Sequence, residues 1–195
     1  MTERTLGNSS NSKWRRVGMV ARWQPVHRGH QAVLHALCDR ADSVMICIGS
    51  ANVQDYRNPF TLDEVSEMLT RVLEGRENYS LIPVPDLNDG PRWREMVRHR
   101  FGSLDMLFTD NPYVAQLMKD VYPVNRPVEI VPKEQRVAIS GSMVRLAMAK
   151  DTQWEHYLPP VVADYLNDHH LVERFRREYG LQTLAINSMI VERSE

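Results

Sequence analysis

Five consecutive apolar residues, Val44-Met45-Ile46-Cys47-Ile48, constrain the fold more than any other stretch. An apolar run of strand length with no polar alternation suits a strand buried on both faces. Both faces are covered when helices flank a parallel sheet, so helices should precede and follow the run. Before it, Val33, Leu34, Leu37 and Cys38 recur at helical spacing within residues 31–41. After it, residues 61–75 carry an apolar stripe of Leu62, Val65, Met68, Leu69 and Val72. Thr61 and Glu64 have capping-box spacing there, and Gly75 closes the helix. The polar loop from Gly49 to Pro59 leaves the carboxyl end of the strand, where α/β sheets bind ligands.

The same alternation runs along the chain. Strands are expected at about residues 16–21, 79–84, 105–109 and 128–131, with Pro83 and Pro85 placing the 79–84 strand near an edge. Helices are expected from Pro91 through Trp93, Met96 and Val97, from Asn111-Pro112 through Val121, and from Ser142 to about Lys150. Residues 154–157, 160–167 and 171–179 also read as helical. The fold class is α/β: a Rossmann-like, doubly wound parallel sheet of about five strands with a helical C-terminal extension. Residues 1–13, polar and aperiodic, read as a disordered lead, and residues 14–180 as one domain. Past Gly180 the pattern weakens, and residues 181–195 read as a tail that is mobile or used in assembly.

Composition narrows the partners. Against 25 acidic residues stand 24 basic ones, a net charge of −1, which gives no excess for a nucleic acid or an anionic membrane. No apolar stretch approaches the ~20 residues of a membrane span, and the N-terminus lacks the apolar stretch of a signal peptide. Cys38 and Cys47 both fall in apolar periodic segments, as buried thiols do, so a reducing cytoplasmic setting is expected.

Chemistry concentrates in two places. Arg22-Trp23-Gln24-Pro25-Val26-His27-Arg28-Gly29-His30 lies where the first strand turns into a helix. The first N–H groups of a helix have no internal partner and the dipole is positive there, so the turn is an anion site. Gly29 leaves the backbone open to a phosphate, and both imidazoles can lean on one ligand. No Gly-x-x-x-x-Gly-Lys or Gly-x-Gly-x-x-Gly cradle occurs. The second place is Ser140-Gly141-Ser142, again at a helix start, with Arg145 one turn in to fork onto a phosphate.

Together these stretches resemble the nucleotidyltransferase superfamily, with its early His-x-Gly-His and late Ile-Ser-Ser/Gly-Thr-x-x-Arg motifs. The likeness narrows to archaeal-type nicotinamide-nucleotide adenylyltransferases. It does so through residues 22–30, Ile48-Gly49-Ser50-Ala51, Arg57-Asn58-Pro59-Phe60-Thr61, Ile82-Pro83-Val84-Pro85-Asp86, Trp93 and Asn111-Pro112. The resemblance implies transfer of AMP from ATP to nicotinamide mononucleotide, giving NAD and pyrophosphate with Mg²⁺ assisting, in a family that often forms homo-oligomers.

By the same resemblance, Arg22, His27, His30 and Arg145 would be catalytic. ATP would be held by these with Gln24, Gly29, Asn111, Ser140, Gly141 and Ser142. The acceptor would be held by Gly49, Ser50, Ala51, Arg57, Asp86 and Trp93, with Trp93 stacked on the nicotinamide ring. No protein metal ligand is implied, because Mg²⁺ travels on the phosphates. The chain departs from the family pattern at Ala21 (usually Gly), Trp23 (Phe or Met), Val65 (Arg), Gly90 (Asn) and Ser142 (Thr). Nicotinate mononucleotide or another phosphate monoester therefore stays open as the acceptor, as does a non-catalytic nucleotide sensor.

Overall fold

The computed structural model describes residues 14–192, and the expected N-terminal lead lies outside them. Five parallel strands form one sheet: β1 (Trp14–Ala21), β2 (Ala41–Gly49), β3 (Tyr79–Val84), β4 (Met106–Phe108) and β5 (Val124–Asn125). Their order is β3-β2-β1-β4-β5. The chain winds outward from β1 to one edge, then returns to build the other side. Val17 of β1 pairs with Val44 of β2 on one flank and Met106 of β4 on the other. The winding reverses between β1 and β4, the place in such a sheet where a crevice opens.

The apolar run in β2 has the expected cause. Val44, Ile46 and Ile48 enter the core on one face, while Met45 and Cys47 enter the core on the other. The first face is covered by α1 (Arg28–Arg40), α2 (Leu62–Val72), α5 (Gly141–Ala149), α6 (Pro160–Asp168) and α7 (Leu171–Phe175). The second is covered by α3 (Gly90–Phe101) and α4 (Pro112–Met118). Each fully buried aliphatic or aromatic side chain there contributes about 1.5–3 kcal/mol. Thr61 and Glu64 form the expected capping box on α2, and β3 lies at the edge as its prolines suggested. Both cysteines are free and buried. No helix among the described residues is long and apolar enough to cross a membrane.

The structure differs from expectation in three places. Residues 128–131 are not the fifth strand. Pro127–Ile130 form a 3-10 turn, and the strand is the short Val124–Asn125 before it. Pro127 has no N–H for a ladder, and the Glu129 N–H turns back to the Arg126 carbonyl at 3.1 Å. The tail is also helical. α7 runs through one wide π turn, Arg176–Gly180, into α8 (Leu181–Glu192). Gly180 does not adopt the left-handed conformation of a helix stop, and the apolar residues of α8 form no single stripe for periodicity to detect. In addition, α4 ends at Met118, short of the expected Val121.

The C-terminal helices are clamped to the loop after β2. Arg174 of α7 forks onto Glu64 with contacts of 2.5 and 2.7 Å, and donates to the Pro59 carbonyl at 3.1 Å. Glu64 is partly desolvated, which alone would raise its pKa, but hydrogen bonds from Arg174 and Thr61 bring it below the ordinary carboxylate value. Arg174→Ala should strand that carboxylate. The expected cost is about 2 kcal/mol, a fall of roughly 4–8 °C in calorimetric midpoint. An unchanged midpoint would show the pair to be energetically idle.

Candidate active site

A cleft of about 1160 Å³ opens along the carboxyl ends of the strands. Its walls come from Ala21 and Arg22 after β1, Gly49 and Ser50 after β2, Asp86 to Asp89 after β3, Asp110 and Asn111 after β4, and Arg126 after β5. The residues singled out in the sequence line this cleft together, except Ala51. That residue lines an adjoining pocket of about 190 Å³, which shares Gln24, Gly49 and Ser50 with the cleft.

His27 is the N-cap of α1 and His30 its third residue. Nδ1 of His27 accepts the His30 N–H at 3.3 Å, and Nδ1 of His30 accepts the His27 N–H at 3.4 Å. The rings stack with centroids 3.6 Å apart and planes 17° apart. Both Nδ1 atoms act as acceptors, so each neutral ring carries its proton on Nε2. Burial pushes His27 down to about 4. His30 is pushed well below its ordinary value by burial first and by His27 second, against the pull of the Pro25 backbone. At neutral pH the pair is therefore uncharged, with one N–H on each ring. A Cβ at Gly29 would press on the His27 ring at 3.1 Å.

The histidine turn is held from two directions. The Gln24 amide closes both bonds with the Phe60 backbone at 2.9 Å, so this side chain is structural although it also lines the cleft. The Gln24 carbonyl accepts from Nη1 of Arg145 at 2.6 Å. Arg145 is only 7% exposed, and burial followed by the charge of Arg22 lowers it to about 10, so it stays cationic at neutral pH. Ser140 caps α5 through the Met143 N–H, and its hydroxyl meets that of Ser142 at 2.9 Å. A Cβ at Gly141 would stand 2.8 Å from the Gln24 carbonyl oxygen and 3.1 Å from Nη1 of Arg145. The α5 start and the histidine turn thus touch because residue 141 has no side chain. Two helix N-termini, a guanidinium and two imidazole N–H groups face one cavity, an arrangement suited to polyphosphate.

The other walls differ in character. Arg22 and Arg57 are exposed, with Nε of Arg57 bonded to the Tyr56 hydroxyl at 2.7 Å. Asn111 caps α4 with its side-chain oxygen, leaving its amide N–H groups for a ligand. Asp86 is clamped by Asn52 through both backbone groups, at 2.7 and 3.1 Å, which leaves its carboxylate free of that clamp. Trp93 is 9% exposed, with its body in the core cluster beneath α3. Trp23, a departure from the family pattern, is buried, and its indole N–H donates to the Cys47 carbonyl at 2.8 Å. Val65 is buried in the core.

Sequence reasoning missed Arg126, Arg136 and Tyr113, which also line the cleft. The misplaced fifth strand concealed Arg126. With β5 ending at Asn125, this residue is the first beyond a strand's carboxyl end, and that position was the available signal. Arg136 is tied through Nε to the Val131 carbonyl at 2.9 Å. Tyr113 looked like an ordinary helix residue.

Gly141→Ala should keep the fold but drive α5 from the turn, lowering turnover at least about 100-fold, as steady-state kinetics would show. Wild-type-like turnover would mean that the two helix starts need not touch. The histidines predict a pH dependence of stability. The unfolded chain holds His27 near 6.5 and the folded chain near 4. Between those values the unfolded state binds the extra proton, so this stabilisation is complete above about 6.5 and is lost as pH falls towards 4, on the order of 3 kcal/mol from His27. Urea midpoints across that window should fall less steeply in His27→Asn than in the unaltered protein; parallel curves would contradict the shift.

Comparison with known proteins gives the chain a family. A family model described as cytidylyltransferase-like matches residues 19–147. The nicotinamide-nucleotide adenylyltransferase of Methanocorpusculum labreanum is 36% identical over 160 residues, covering 81% of this chain and 94% of that protein. Its namesake from Pyrococcus furiosus is 36% identical over 163 residues, covering 80% and 85%. Among solved structures, a bifunctional NMN adenylyltransferase/ADP ribose pyrophosphatase from Francisella tularensis, complexed with AMP and a manganese ion, shares the fold. Its TM-score is 0.62 at 17% identity, over 92% of this chain and 54% of that one, so this chain spans about half of the bifunctional protein. The nicotinic acid mononucleotide adenylyltransferase of Plasmodium falciparum has a TM-score of 0.56 at 11% identity, over 82% and 98%. The chain belongs to the cytidylyltransferase-like family and, within it, to the nicotinamide-nucleotide adenylyltransferases.

Proposed function

We propose that this chain is a nicotinamide-nucleotide adenylyltransferase of NAD synthesis. A 5′-phosphate oxygen of nicotinamide mononucleotide attacks the α-phosphorus of ATP. The new P–O bond forms as the bond to the β-phosphate oxygen breaks, and pyrophosphate leaves. The observation that carries this reading is the contact between the histidine turn and the α5 start, through Arg145 and Gly141 on the Gln24 carbonyl. It supports a division of labour in which Ser140, Gly141, Ser142 and Arg145 hold the departing β- and γ-phosphates. The neutral N–H groups of His27 and His30, with Arg22, answer the charge that develops around the α-phosphate. A neutral imidazole donor suits this task at pH 7, since it needs no proton uptake.

Asn111 fits the adenosine side, while Gly49, Ser50, Ala51, Arg57, Asp86 and Trp93 fit the acceptor side. Among the described residues, no group of three or more His, Cys, Asp or Glu could hold a metal ion. Both histidine Nδ1 atoms are already acceptors, so the donor set fits Mg²⁺ brought in on the triphosphate, with the Ser140 and Ser142 hydroxyls available beside it. The cation would offset charge on the leaving pyrophosphate. Two buried thiols fit a reducing cytoplasm. A homo-oligomer assembled through the C-terminal helices belongs to the same reading, supported by the exposed Leu181 and Met189 of α8.

Purified protein with ATP and Mg²⁺ should release pyrophosphate only when nicotinamide mononucleotide is added, with NAD appearing by chromatography. Release with nicotinate mononucleotide alone would move the acceptor assignment, and nucleotide binding without release for any acceptor would favour the sensor. His27→Ala should lower kcat by about 10²–10³ while changing the ATP KM by less than about threefold, because its contact strengthens as the bond breaks. Equal losses in kcat and ATP affinity would make His27 a binding residue only.

A further inference from the structure

Residue 90, where the resembled family carries Asn, is Gly at the first position of α3. The space above it is filled from the other wall of the cleft. A Cβ at residue 90 would collide with the Tyr113 hydroxyl and stand 3.4 Å from its Cζ. Tyr113 belongs to α4, two residues after Asn111, and is 62% exposed. Its side chain thus reaches from the α4 wall to rest on the backbone of α3, and its hydroxyl has no hydrogen-bond partner among the described residues. Trp93 lies three residues further along α3, so residue 90 is one helical turn away on the same face. Any larger residue at 90 would displace this tyrosine.

We infer that Tyr113 determines acceptor specificity, its hydroxyl meeting the carboxamide of the nicotinamide ring held against Trp93. The inference rests on the proposed reaction and names a further contact within it. The chemistry fits an amide: a phenol both donates and accepts, and the carboxamide offers an N–H₂ donor and a carbonyl acceptor. The ring of Tyr113 gives the hydroxyl reach with only two side-chain torsions to order. A polar group delivered from α4 also explains how Gly is accommodated at residue 90: the polar contact to the acceptor crosses from one wall of the cleft to the other.

The test compares the unaltered protein with Tyr113→Phe, using ATP with nicotinamide mononucleotide or with the pyridinium mononucleotide that lacks the carboxamide. Tyr113→Phe should raise the KM for nicotinamide mononucleotide about five- to tenfold, with no comparable change in the KM for ATP. It should leave the KM for the amide-free acceptor within about twofold. An unchanged KM for nicotinamide mononucleotide, or an equal rise for the amide-free acceptor, would overturn the assignment. A rise for ATP instead would place Tyr113 on the adenosine side and also overturn it. If the unaltered protein makes no NAD, the proposed reaction fails and the assignment with it; NAD formation with an insensitive Tyr113→Phe defeats the assignment alone.

Discussion

Everything at the site depends on the backbone of Gln24. Its carbonyl receives the buried Arg145 guanidinium from a helix 121 residues away in sequence, and its side chain locks the backbone of Phe60. A buried cation is costly unless it is well paired, and a carbonyl at 2.6 Å is a strong neutral acceptor for one. Arg145 keeps its charge on those terms, with Arg22 lowering its pKa further. The result is a positive centre held rigidly beside two imidazoles. Such preorganised donors act on developing charge without reorganising when the bond breaks.

The histidines show how one local device serves two purposes. Each accepts the other's backbone N–H, which satisfies two donors at the α1 start that would otherwise be orphaned. The same bonds fix the tautomer and so determine which nitrogen of each ring carries the proton. Burial disfavours charge on both rings, and for His30 the His27 ring stacked 3.6 Å away adds to this. Stability of the turn and readiness to donate are therefore a single property. The C-terminal helices extend this support. Arg174 secures Glu64 and Pro59, next to the Phe60 that Gln24 holds, so the helical extension braces the histidine turn through one intervening segment.

Much of this was legible in the sequence. The alternation of apolar runs and amphipathic stripes revealed the parallel sheet, because strand and helix periods are local properties of the chain. The capping box at Thr61 and the helix starts at Asn111 and Ser140 were readable for the same reason. Errors fell where local signals conflict. Val128 to Val131 has strand composition, yet Pro127 and Pro132 on either side favour a tight turn. Gly180 resembles a helix stop, yet the helix passes through it with one wide turn.

By itself, the sequence determined the fold class and the two helix starts, at the histidine turn and at Ser140-Gly141-Ser142, while the acceptor-side residues came only through the family resemblance. The fold class and the helix starts follow from spacing of three or four residues and from side-chain chemistry. Tertiary structure alone decided how those residues share the work. Gln24, expected to meet ATP, has its amide engaged with Phe60; Trp23 turns into the core; and Ala51 faces a neighbouring pocket. Tyr113 occupies the space above Gly90, although 23 positions separate them. Contacts between segments far apart in sequence depend on how the layers pack, and no local pattern carries that information.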